Sequence, residues 1–109
     1  MANTFKLKTK ANVGVTTVGI YTAPAATTTV VIGITLANTS GSGVNVGVGI
    51  TRAGTTEDVK LLKNAPIPQG SSLEFMGGNK VVLETTDTLT VDSDTNNSVD
   101  AALTIMEIR

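Results

Sequence analysis

Between residues 65 and 91 the sequence APIPQGSSLEFMGGNKVVLETTDTLTV holds three short apolar runs, at 73–76, 80–84 and 88–91. Turn chemistry separates them: Pro66, Pro68 and Gly70 before the first, Gly77-Gly78-Asn79 before the second, Thr86-Asp87 before the third. Proline brings no N–H to a sheet ladder and fixes φ, whereas glycine and asparagine tolerate positive φ, so an extended chain changes direction at such points. The rest of the chain repeats the pattern with longer runs. No segment carries a sustained 3.6-residue period, so the sequence predicts an all-β protein.

Residues 4–10 alternate Phe5, Leu7 and Thr9 with Lys6, Lys8 and Lys10, which predicts a half-buried strand with its lysines on the exposed face. Three like charges in line also suit a sheet edge, where they discourage stray pairing. Residues 13–21 form a second strand, ended by Ala23-Pro24-Ala25. Residues 28–37 read as the most buried strand, with Val30, Ile32, Ile34 and Leu36 on one face and Val31, Gly33 and Thr35 on the other. After the turn-rich 38–43, residues 44–51 place Val44, Val46, Val48 and Ile50 inward and Asn45, Gly47, Gly49 and Thr51 outward. The two runs are expected to form an antiparallel hairpin.

Ala53-Gly54-Thr55-Thr56 is a further turn, and 58–63 a strand with Val59 and Leu61 in phase. In the last run, 99–108, Val99, Ala101, Leu103, Ile105 and Glu107 share a face, and Ala102, Thr104, Met106 and Ile108 share the other. Eight or nine short strands with turn signals every ~8–12 residues predict a single antiparallel β-sandwich over residues 1–109, of jelly-roll or Ig-like topology.

Only 3% of residues are aromatic against 40% hydrophobic overall, so the core has to be built from Val, Ile and Leu. Phe5, Tyr21 and Phe75 are expected to fill it, with the Tyr21 hydroxyl reaching a partner at the rim. A net charge of −1 provides no general basic field, so neither nucleic acid nor an anionic membrane is an expected partner. Cysteine and histidine are both absent, which removes disulfides, thiolate metal sites and the commonest general base. The N-terminus MANTFKLKTK has no apolar signal-peptide core, and no run approaches the ~20 residues of a membrane span. The chain therefore reads as a soluble product made in a cytoplasm.

Residues that could carry chemistry are few. Glu57 and Asp58 are adjacent, and in a strand they point to opposite faces, a poor acid/base pair. No catalytic residue and no cofactor are expected. Asp92, Asp94 and Asn96 have the D-x-D-x-N spacing of a calcium loop, and Asp100 holds the ninth place. Asn97 and Leu103 stand where that loop wants glycine and glutamate, so a polar hairpin loop built on Asx turns is the alternative. Residues 1–56 carry four cations and no acid, while 57–109 carry four cations and nine acids, so the halves stand at +4 and 4 − 9 = −5. Either the two ends meet across copies, or they interleave within one sandwich. Lys6, Lys8 and Lys10 and the bare positions Gly47 and Gly49 are the candidate protein contacts.

The stretches ANTFKLKTKANVGVTTVGIYTAPAATTTVVIGITLANTS and VKLLKNAPIPQGSSLEFMGGNKVVLETTDTLTVDS resemble a family of small virion structural proteins of tailed phages, marine and cyanobacterial ones especially. The most specific pieces are Tyr21-Thr22-Ala23-Pro24, residues 66–72, and residues 80–83 with Asp87. Thr86 stands where the family pattern has glycine. The resemblance implies a β-sandwich particle component, a capsid decoration (cement) or neck/tail accessory protein. Such a protein would be a homo-oligomer contacting the major capsid protein or neck and tail proteins, and it would reside in the virion. It assigns no functional residues. The rival expectation is a fibre-associated module that binds host glycan through its polar loops, against which the scarcity of aromatics argues.

Overall fold

A computed structural model describes residues 3–52, 57–75 and 80–109. The expected turns at 53–56 and 77–79 lie outside the described residues. Nine strands are present among them: β1 (Asn3–Val13), β2 (Val18–Thr22), β3 (Thr28–Asn38), β4 (Val44–Arg52), β5 (Glu57–Ile67), β6 (Ser72–Phe75), β7 (Val81–Leu83), β8 (Asp87–Ser93) and β9 (Val99–Ile108). They form two antiparallel sheets, one ordered β1-β9-β3 with β6 and β7 end to end along the far side of β3, the other ordered β2-β8-β4-β5.

This order is that of a hairpin ribbon rolled up on itself. With β4–β5 at the tip, β3 pairs with β6 and β7, β2 with β8, and β1 with β9. Rolling the ribbon adds the β3–β9 and β4–β8 ladders, which close the two sheets. The result is a jelly roll and not an immunoglobulin sandwich, since the chain crosses between sheets at most connections. The expected hairpin of residues 28–37 with 44–51 is accordingly corrected: β3 and β4 are inner strands of different sheets, and 39–43 is a crossover. Both runs are apolar enough to be central strands, and two central strands need not be neighbours.

The core lies between the sheets. Val31, Ile34, Leu36, Leu83, Leu103 and Ile105 from one side meet Val46, Val48, Ile50, Leu89 and Val91 from the other. β9 behaves as its alternation predicts, with Val99, Ala101, Leu103, Ile105 and Glu107 all buried. β3 does not. A bulge between Val31 and Gly33 shifts its phase, so Val31 and Ile34 both point inward while Val30 faces out. Pro66 also departs from expectation, since it lies within β5 and not in a turn. β5 is an edge strand, where a missing N–H costs no ladder bond.

The turn into β8 is as expected. Asp87 N–H donates to Glu84 O, and Asp87 Oδ2 accepts from Glu84 N–H, both at 3.0 Å. Thr86 holds φ +73° in this turn, a left-handed conformation that suits glycine and strains a β-branched residue.

Candidate assembly surface

β1 forms one edge of the five-stranded sheet and, among the described residues, pairs with β9 alone. Residues directly opposite in an antiparallel ladder share a face. Lys6, Lys8 and Lys10 lie opposite the core residues Ile105, Leu103 and Ala101, so the lysines take the inner side. Phe5 and Leu7 lie opposite Met106 and Thr104 and turn outward, 68% and 65% exposed. This inverts the expected facing of the strand and takes Phe5 out of the core.

Two physical causes account for the inversion. β2, the strand beside β1 across the sandwich, has five residues against eleven, so part of β1's inner face meets solvent rather than core. Lysine stems can lie over apolar surface there while the ammonium groups reach out. The second cause is Glu107, an acid inside that attracts a cation. Its side chain is buried, and Lys6 Nζ lies 2.9 Å from its Oε1.

Glu107 is the hub of a polar clasp between the sheets. Tyr21 of β2 donates its hydroxyl to Glu107 Oε2 at 2.6 Å, and Thr29 Oγ1 of β3 lies 2.8 Å from the same phenol oxygen. Since the phenol proton is committed to Glu107, the Thr29 hydroxyl donates. Arg109 adds a second cation at 3.1 Å. The Tyr21 hydrogen bond, then that of Lys6, hold the Glu107 carboxyl down to about 2 despite its burial. Burial, reinforced by the bond to Glu107, pushes the Tyr21 phenol up to about 12. Among the described residues no buried side-chain polar atom lacks a partner. Lys6 is thus committed inside the chain, while Lys8 is half-buried and Lys10 exposed. The in-phase position of Glu107 in β9 was the signal for this hub in the sequence.

Gly47 and Gly49 are buried, which corrects the expected bare patch. A Cβ on Gly47 would sit 2.6 Å from Asp92 Oδ1, and one on Gly49 would sit 2.8 Å from the Val59 carbonyl. β5 bulges opposite this stretch of β4, bringing backbone over the glycines. They make room for their own sheet.

The four candidate cation ligands are spent separately. Asp92 accepts from Thr17 Oγ1, Asp94 from Asn45 N–H, Asn96 from Val15 N–H and Asp100 from Asn12 N–H. Among the described residues no group of three or more acidic side chains is placed to hold a metal ion. The charged halves interleave: Lys6 pairs with Glu107, and Arg52 with Glu84 and Asp87.

What single-strand patterns do not reveal is a row across the sheet. Phe5 lies opposite Met106, Met106 opposite Val30, and Val30 opposite Val82. The row spans the full width of the outer face, and its ends are the most exposed, Val82 at 53%. Leu7, Thr104 and Gly33 form the next row, and Thr9, Ala102, Thr35 and Glu74 the one after. Small side chains there leave a shallow groove between Ile32, Glu74 and Thr104. Glu74 and Asp100 are the charged residues at outward positions of these strands among the described residues.

No protein family and no curated protein matches this sequence. Among solved structures, the fold is similar to a chain of the Bacillus endospore appendages, a family of disulfide-linked pili, at 16% identity and TM-score 0.52, covering 96% of this chain and 85% of that one. It is similar as well to a chain in the structure of infectious bursal disease virus Gx strain, at 12% identity and TM-score 0.52. That match covers 95% of this chain but 32% of the viral one, so this chain spans about a third of its length. At these identities the likeness is one of fold.

Proposed function

We propose that this chain is a non-enzymatic structural subunit of a virion, of the tailed-phage decoration or neck/tail accessory kind, that works by burying surface against symmetric neighbours. The observation that carries the reading is the apolar row Phe5–Met106–Val30–Val82, which lies open on the outer sheet face of an otherwise well-satisfied small domain. Exposed apolar surface concentrated on one face marks a site of association. Chains of similar fold occur in a pilus and in a virus structure, and the sequence resemblance to phage virion proteins points the same way. Having no cysteine, the subunit would be held by non-covalent contact, unlike a disulfide-linked pilus.

Glycan recognition finds little support in the placement of the aromatics. Tyr21 is buried, Phe75 half-buried, and Phe5 sits at the end of β1 remote from the polar loop at 94–98. Quantitative mass spectrometry of purified particles, measured against the major capsid protein, tests the proposal. Near-stoichiometric copies would mean decoration of the head lattice, and a few to a few dozen would place the subunit at neck or tail. Its absence from particles would overturn the reading.

A further inference from the structure

The apolar row is a geometric feature as well as a chemical one, because it runs straight across four strand positions at right angles to the strands. We propose that the outer face of the five-stranded sheet is a self-association surface, on which a second copy of this chain packs face to face about a twofold axis lying along that row.

Size is the first argument. Four strand positions at ~4.8 Å spacing and ten residues of β9 at ~3.4 Å each give a face of about 19 by 34 Å, roughly 650 Å² before side-chain corrugation. Specific interfaces bury roughly 1,200–2,000 Å² in total, so two copies of this face laid together, about 1,300 Å², reach the lower end of that range. The partner also has to bring comparable apolar area. Elsewhere among the described residues the exposed large apolar side chains are Val15 and Val59, which share no row, whereas a second copy brings the same complete row.

Charge chooses the orientation. Asp100 lies six residues from Met106 along β9, about 20 Å from the row at ~3.4 Å per residue. With the twofold along the row, the strands of the two copies run antiparallel and their Asp100 side chains end up roughly 40 Å apart. With the twofold along the strands, both acidic ends would stack across a sheet spacing of about 10 Å and repel. In the antiparallel arrangement Phe5, Met106, Val30 and Val82 each meet their own counterpart, as residues on the axis of an isologous interface do.

This deepens the assembly reading and rests on it for its purpose, while its test uses the purified full-length chain alone. Because the chain has no cysteine, a single Val82→Cys substitution places one thiol on the axis. Mild oxidation is expected to yield a disulfide-linked dimer from Val82→Cys and none from Thr51→Cys, on the outer face of the other sheet. Sedimentation velocity is expected to show concentration-dependent dimer for the natural chain. For Val82→Lys, a change at an exposed site that leaves the fold intact, the association constant should fall by about tenfold or more, because each new lysine faces its own copy. A natural chain that stays monomeric across the concentration series, equal cross-linking of the two thiol variants, or unchanged association of Val82→Lys would each overturn the interface. None of these outcomes bears on the copy number in particles, so the two proposals fail separately.

Discussion

On the outer face of the four-stranded sheet, Thr22, Thr88, Thr51 and Asp58 form a row across all four strands, the counterpart of Phe5, Met106, Val30 and Val82 on the other sheet. The threonine row is hydrogen-bonded within itself, with Thr22 and Thr88 hydroxyls 2.9 Å apart. Beside it, Thr90 and Lys60 lean over Gly49, and Asp92 over Gly47. One face covers its own backbone and meets water through hydroxyls and charges. The other leaves methyl, thioether and phenyl groups uncovered. A sheet face can be finished by its own side chains or by a neighbour, and this molecule has one of each kind.

Adding bulk tests the contrast most directly. Gly49→Ala is expected to destabilise the chain by about 1–3 kcal/mol, since its Cβ would meet the Val59 carbonyl at 2.8 Å and backbone cannot swing aside. Gly33→Ala on the open face meets Phe75 O at 3.7 Å, ordinary contact. It should be neutral or stabilising by up to about 1 kcal/mol through lower backbone entropy in the unfolded chain. Urea midpoints of the two variants read the difference, and equal losses would break the distinction between a filled face and an open one.

The clasp at Glu107 lies beneath both faces and gives a smaller effect with a pH signature. Glu107→Gln is expected to cost about 1–2 kcal/mol at neutral pH, through loss of charge-assisted hydrogen bonds to Tyr21 and Lys6. The folded carboxyl titrates at about 2, below its ordinary 4.5, so its contribution is complete above 4.5 and disappears as pH falls through about 2. The stability gap between natural chain and variant should therefore close between those pH values. A gap that persists undiminished at low pH would assign it to packing alone.

The smallest effect is a gain. Thr86 holds φ +73° in the connection from the five-stranded to the four-stranded sheet, a conformation that glycine adopts without strain. Thr86→Gly is expected to stabilise by about 0.5–1 kcal/mol, the relief of left-handed strain less the entropy of a freer unfolded chain. Calorimetry of the variant checks the sign.

Alternation and turn residues in the sequence were enough to place most of the strands, the core face of β9 and the turn at Thr86-Asp87, but the run 13–21, expected as one strand, is the end of β1, a break at 14–17 and β2. These are local properties: period two follows from the pleat, and turns from the φ range of each residue. Alternation names two faces but not which one is inside. In β1 that choice fell to the register against β9 and to the buried acid at Glu107, and in β3 a one-residue bulge switched faces midway. The apolar row was unreadable for the same reason, because its four members lie on strands far apart in sequence and meet only when the ribbon rolls up. Which strands exist was set by the chain itself; which residues become neighbours, and so which face stays open, was decided by pairing between strands distant in the sequence.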